Sequence, residues 1–323
     1  SGMDVLRRRG VWIAVCVLGA AALLLFGYRL LLSPPADFPE GGVQIVIPEG
    51  APAPQALQIL SDAQVVAHPE VLRLLLRVSG ASDDVQAGIY LFRKPQNLLM
   101  VGYRLATGDY GIPPVRITFV EGTTVRESAK LVGDAFLILT EEEYSAAAKP
   151  HEGYLFPDTY LFQPSADAAA VVAAQRENFN AKIAPFTDDI TASGRTLSDV
   201  VILASLVEKE ARTTVNKRIV AGILWNRLEL GMPLQVDAVF GYIFNRPTYS
   251  PSYEDLKVDS PYNTYTHRGL PPGPINNPGL DSLDAVIHPA KTKYLYYLTG
   301  NDNQMHYAAT YAEHQANQRK YLP

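Results

Sequence analysis

Residues 11–32 read VWIAVCVLGAAALLLFGYRLLL, a nearly continuous apolar run interrupted by Tyr28 and Arg29. About 20 apolar residues in helical form cross the hydrocarbon core of a bilayer, so the run predicts a transmembrane helix. A cleaved signal peptide would need small residues near the end of the run, and bulky Leu30, Leu31 and Leu32 stand there instead. Arg7, Arg8 and Arg9 precede the run. By the positive-inside rule they leave residues 1–10 as a cytoplasmic tail and place everything after residue 32 outside the membrane, in the periplasm or at the cell surface. The Pro- and Gly-containing stretch 33–42 reads as a linker. Ser1 and Gly2 stand before Met3 and read as an expression scar.

The 323 residues are enough for an anchor and two further domains. A hydrophobic share of 47% with 19% charged residues belongs to a globular chain. The formal charge is −5 despite the three N-terminal arginines, so the remainder is more acidic still. No basic patch with interleaved aromatics is present, which argues against nucleic acid. Cys16 is the single cysteine; an intrachain disulfide and a cysteine metal site are both excluded.

After the linker, residues 43–48 alternate as a strand, 54–63 and 68–78 have helical periodicity, and 88–92 are a second strand. The order predicts a small β-α-α-β module, followed by a helix over 97–106. The sequence Ile45-Val46-Ile47-Pro48-Glu49-Gly50 returns as Ile117-Thr118-Phe119-Val120-Glu121-Gly122, a second strand-turn-helix unit with Thr123 or Thr124 as N-cap and Glu127 in the first turn. Residues 151–160, HEGYLFPDTY, form an aromatic stretch broken by Gly and Pro and carrying two acids. Such a stretch suits core packing at a domain edge and a sugar groove equally.

The stretch 197–237 organises the rest. An apolar helix over 197–212, capped by Thr196 with Asp199, carries Glu208 and Glu210. At about 100° per residue Glu208 shares a face with Val201, Ala204, Ser205 and Ala211, and Glu210 points toward Leu203 and Leu206. Small residues below Glu208 suggest room for a ligand; bulky ones beside Glu210 suit a packed structural acid. Spacing alone leaves the choice open. A second helix over 215–230 ends at Gly231, and 234–237 alternate. Residues 260–279 are rich in Pro and Gly and read as a rigid extended wall. A short helix over 282–287, an aromatic strand over 294–298 and a helix over 311–321 complete an α+β chain with a loop-rich C-terminal part.

The run Ala204-Ser205-Leu206-Val207-Glu208-Lys209-Glu210 resembles the signature of the MltG/YceG-like family of membrane-bound endolytic murein transglycosylases. The same resemblance extends to Asn226-Arg227-Leu228, Leu234-Gln235-Val236-Asp237, Tyr262-Asn263-Thr264-Tyr265, Gly269-Leu270-Pro271-Pro272-Gly273-Pro274-Ile275 and His288-Pro289-Ala290, in order. Val236 and Ala238 depart from the small polar residue and proline expected around the aspartate. The segment 245–257 matches poorly.

The resemblance implies a LysM-like subdomain at 43–115 and a YceG-like catalytic domain, mixed α/β, at 116–323. It implies a bacterial inner-membrane enzyme that cleaves the β-1,4 bond between N-acetylmuramic acid and N-acetylglucosamine in nascent strands, leaves 1,6-anhydro ends, and works beside peptidoglycan synthases. Its single catalytic glutamate maps onto Glu208. Gln235, Asp237, Asn263 and Tyr265 map onto cleft motifs, and Glu152 and Tyr160 onto the family's stretch at the entry to the catalytic domain. A carboxyl kept protonated on an apolar face would serve as the acid, with the substrate's N-acetyl group taking the place of a second carboxylate. No cofactor or metal is expected: the six histidines include no HExxH pair. The rival class is a non-catalytic, membrane-anchored glycan-binding scaffold, which would need no acid set among polar motifs.

Overall fold

The computed structural model describes residues 2–81, 85–246 and 251–322. Residues 247–250 of the poorly matching segment, and Ser1, lie outside the described residues. The chain divides into two compact units, Ser1–Pro114 with Gln163–Ser165, and Val115–Phe162 with Ala166–Pro323.

In the first unit, helix α1 (Gly2–Leu31) contains the apolar stretch Val15–Leu31. Among the described residues no single helix is long and apolar enough to cross a membrane. Strands β1 (Val43–Ile47) and β2 (Gly88–Phe92) pair antiparallel, with Ile45 opposite Tyr90. Between them run α2 (Ala53–Asp62) and α3 (Pro69–Val78), each with Pro in its first turn, where its missing N–H costs nothing. Helix α4 (Leu98–Thr107), capped by Asn97 and ended by left-handed Gly108, closes a core of Ile45, Leu60, Leu72, Tyr90 and Val101. Strand β1 buries alternate positions, whereas β2 is buried along nearly its whole length beneath α2, α3 and α4.

The second unit is mixed α and β. Strand β3 (Val115–Thr118) pairs antiparallel with β4 (Thr159–Phe162). The aromatic stretch therefore ends as a strand, a pairing partner that sequence periodicity over four residues does not reveal. Helices α5 (Val125–Ala135) and α6 (Glu141–Ala148) begin with complete capping boxes, Thr124 with Glu127 and Thr140 with Glu143. With α7 (Ala168–Ile183) they enclose Phe119, Val132, Tyr144 and Val171.

After the short α8 (Thr187–Ala192) comes α9 (Leu197–Glu210), buried without a break from Val200 to Val207. A helix apolar on all sides belongs in a core. Around α9 lie α10 (Thr214–Glu229), α11 (Ala238–Phe244) and α12 (Leu280–Ile287). The hairpin β5 (Tyr296–Thr299) and β6 (Met305–Ala308) and the last helix α13 (Tyr311–Tyr321) complete the unit. The alternating run at 234–237 is not a strand; Gln235 turns the chain with a φ of 52° and α11 begins directly.

The wall 260–279 is held by buried amides. Asn277 accepts the N–H groups of Gly153 (2.8 Å) and Leu155 (3.1 Å) and donates to the Thr123 carbonyl. Asn276 donates to the Ser205 carbonyl at 2.7 Å, and the Ile275 N–H reaches Ser205 Oγ at 3.0 Å. At Gly153 (φ 84°) a Cβ would stand 2.3 Å from Pro274 Cγ, so only glycine lets the wall approach.

Candidate active site

The two glutamates of α9 end in different surroundings. Glu208 lies against the N-terminus of α12 and the buried end of α10. Its Oε2 accepts the Gly279 N–H at 2.9 Å, and its Oε1 faces Lys217 Nζ at 3.3 Å. Lys217 is only 4% exposed and also faces Asp281 at 3.4 Å. Glu121 packs on Gly279; its carboxyl is raised by burial first, then by the charge of Glu208. Glu208 is thus an ion-paired brace among three elements. It does not sit on an apolar face open to a ligand. The small residues of that face, Ala204 and Ser205, are fully buried, and Ser205 is bonded to the wall at Ile275 and Asn276. They make room for a neighbouring stretch of chain.

Glu210 opens into a cleft of ≈ 680 Å³ lined from one side by Val125, Arg126 and Glu127 of α5, Ser145, Lys149 and Glu152, and from the other by Lys209, Asp237, Ala238, Tyr242 and Arg246. The Tyr297 hydroxyl of β5 donates to Glu210 Oε2 at 2.9 Å, and the Ala238 N–H donates to the same carboxyl. Burial raises the Glu210 carboxyl to about 7; the two hydrogen bonds pull it down and the charge of Asp237 pushes it up. Tyr297 is itself driven well above its ordinary range, by burial first and then by the charge of Glu210. Of the two acids, Glu210 lines the cleft and Glu208 does not, although Glu210 is itself packed against Tyr297. The helical projection separates the two faces correctly but does not show which face another segment covers.

The other expected site residues divide. Asp237 lines the cleft and accepts the Tyr265 hydroxyl at 2.5 Å. Burial and the bond to Asp237 hold the Tyr265 hydroxyl well above its ordinary range. Glu152 lines the cleft too; its Oε1 accepts the Val125 N–H at 2.8 Å, and burial raises its carboxyl to about 7 against that bond. Gln235 is exposed, its backbone N–H bonded to the Thr264 carbonyl, and it is not part of the cleft lining.

Asn263 is fully buried and cannot touch a ligand: Nδ2 donates to the carbonyls of Leu256 and Val258, and Oδ1 accepts the Tyr265 N–H. It is a brace that aims Tyr265. Tyr160 also lies outside the cleft lining, its hydroxyl on the Phe156 carbonyl and its ring stacked on Phe162.

Two contributors are missing from the expected site residues, although Arg227 lies in one of the matched motifs. Tyr297 meets Glu210 across 87 positions, with only an aromatic strand to announce it. Arg227, buried, donates to the carbonyls of Leu295 and Leu234 and so ties the residue just before β5 to the turn carrying Asp237. An arginine among the hydrophobic residues of a helix was the available signal.

Among the described residues no group of three or more His, Cys, Asp or Glu is placed to hold a metal ion. A model of the YceG-like family matches residues 45–320. The chain belongs to the YceG-like family. A YceG-like protein of Listeria monocytogenes has a solved structure similar to this one, with a TM-score of 0.58 and 26% identity, covering 86% of this chain and 99% of that one. The chain is 29% identical to the endolytic murein transglycosylase of Bacillus subtilis strain 168 over 95% of its length and 91% of that protein's. It is 27% identical to the endolytic murein transglycosylase of Streptococcus pneumoniae over 90% of its length, spanning 61% of that protein. In this YceG-like chain the matched region contains every residue of the cleft.

Proposed function

We propose that this YceG-like protein is an endolytic murein transglycosylase, a lyase of peptidoglycan, and that Glu210 is its acid. The observation that carries the reading is the Glu210 carboxyl: it lines the cleft, it is buried enough to hold a proton near neutral pH, and its second state is prepared by two donors. The kinship with proteins named for this activity supplies the substrate.

Protonated Glu210 gives its proton to the oxygen of the β-1,4 bond after a muramyl residue. Positive charge then develops at the anomeric carbon, and the substrate's own N-acetyl oxygen meets it, as in substrate-assisted glycosidases. Tyr297 and the Ala238 N–H stabilise the new carboxylate, the service that aligned donors give to developing charge. That carboxylate takes the proton of the muramyl C6 hydroxyl as its oxygen closes on the anomeric carbon. One proton enters and one leaves Glu210, the glycosidic bond is exchanged for the anhydro bond, and no water is consumed. Asp237, steadied by Tyr265, keeps Glu210 protonated by its charge and faces the developing cation.

We read the apolar stretch of α1, preceded by Arg7, Arg8 and Arg9, as a single-pass anchor that holds residues 33–323 outside the membrane. Residues 43–115 are read as a LysM-like glycan-holding subdomain and 116–323 as the catalytic domain. Peptidoglycan synthases are the natural neighbours of an enzyme that cuts nascent strands.

The test is a digest of purified glycan strands by the wild type, Glu210→Gln and Glu208→Gln, read by mass spectrometry. Anhydro-muramyl ends that vanish in Glu210→Gln and persist at reduced yield in Glu208→Gln are expected. Loss in Glu208→Gln with full activity in Glu210→Gln overturns the assignment, and reducing ends overturn the transglycosylase reading.

A further inference from the structure

The cleft keeps two lysines that its acids do not use. Lys149, just past α6, and Lys209, beside Glu210 on α9, both line it. Neither forms an ion pair among the described residues. The acids of the same cleft are engaged elsewhere: Glu127 in the capping box of α5, Glu152 on the Val125 N–H, Glu210 on Tyr297 and Asp237 on Tyr265. Lys217 shows the contrast, since that buried lysine has two carboxylates within 3.4 Å. The Lys209 ammonium instead hangs over Gly122 (φ 76°), where a Cβ would come within 3.4 Å of Nζ. Ammonium groups left free in a cleft attract anions and orient them.

The pyranose backbone of a murein strand is uncharged. Its anions sit on the muramyl 3-O-lactyl group, either as the free lactyl acid or as the acids of an attached peptide. We infer that Lys149 and Lys209 form a subsite for the carboxylate carried on the muramyl lactyl substituent, setting the sugar in register with Glu210. The inference rests on the transglycosylase reading and names which strands the cleft selects. Lys149 and Lys209 reach the cleft from different elements.

The experiment compares three strand preparations on the full-length protein: peptide-bearing strands, peptide-free strands with the lactyl acid exposed, and either kind with its carboxylates converted to amides. The expected result is a fall of kcat/KM by about tenfold on amidation in the wild type, the scale of one charge-assisted contact. Lys149→Gln and Lys209→Gln are expected to show a comparable loss on the acidic strands and little further loss on amidation. The exposed Lys130→Gln on α5 keeps the wild-type ratio. If peptide-bearing strands alone show the effect, the carboxylate belongs to the stem; if peptide-free strands show it, to the lactyl group. Equal cleavage of acidic and amidated strands by the wild type overturns the subsite, as does an equal loss in the lysine variants on both. Binding of the Glu210→Gln protein to the same strands is measured in parallel. Without turnover in any protein, a preference for acidic strands sinks the catalytic reading and keeps the subsite, while equal binding sinks the subsite.

Discussion

Replacing Glu210 by Gln should make the protein more stable in alkali, although it removes the proposed acid. In the unfolded chain this carboxyl ionises at its ordinary value of 4.5; in the folded protein burial raises it to about 7. Between these values the folded state binds more protons than the unfolded state, so stability falls as pH rises from 4.5 to 7 and then levels. At about 1.4 kcal/mol for each pH unit the loss is about 3 kcal/mol. Glutamine keeps the shape, its carbonyl oxygen can accept the Ala238 N–H while its amide donates to the Tyr297 hydroxyl, and it cannot ionise. Relative to wild type, Glu210→Gln should therefore gain about 3 kcal/mol between pH 4 and pH 8, or roughly 6–12 °C in Tm for a unit of this size. Differential scanning calorimetry of both proteins across that range is the assay. Glu208→Gln gives the contrast: it strips a partner from buried Lys217 and should lose stability at pH 8. A gap between Glu210→Gln and wild type that stays constant with pH, or closes as pH rises, would refute the reasoning.

Wild-type cleavage should decline as pH rises through about 7, because Glu210 must hold its proton; Asp237→Asn, by removing a charge that raises it, should move that decline to lower pH in a pH–rate profile. Lys217→Met should cost about 3 kcal/mol in denaturant unfolding by leaving Glu208 nearly buried without its cation. Gly153→Ala should cost more than about 2 kcal/mol, since the new methyl meets Pro274 and the backbone is left-handed; an unchanged melting curve would contradict the close approach.

Much of the fold is legible in residues because local chemistry dictates it. Thr196 with Asp199 starts α9, Thr124 with Glu127 starts α5, and Gly231 ends the helix before it, each by satisfying end groups within a few positions. The site is less legible because its contacts are long-range. Small residues on one face of a helix mean that something comes close, and sequence cannot say whether that is a sugar or the chain's own wall. On α9 it is the wall, through Ser205, Ile275 and Asn276. Bulky neighbours beside Glu210 suggest packing alone, whereas burial also raises its carboxyl. Asn263 shares a motif with Tyr265, yet it is fully buried while Tyr265 reaches Asp237.

Asn277 has a consequence for the order in which the molecule assembles. One amide joins Thr123, Gly153 and Leu155 across 122 to 154 positions of chain, and Tyr297 closes on Glu210 from still further along. Closing long loops is slow because the entropy of the intervening chain is lost before the contact forms. Helix α9 can form early, by local caps and apolar collapse, but its terminal carboxyl stays in water until the last third of the chain docks. Until then it titrates like any free glutamate and holds no proton at neutral pH. With Glu210 as the proposed acid, a wall-cutting activity would thereby be withheld from every partly folded copy.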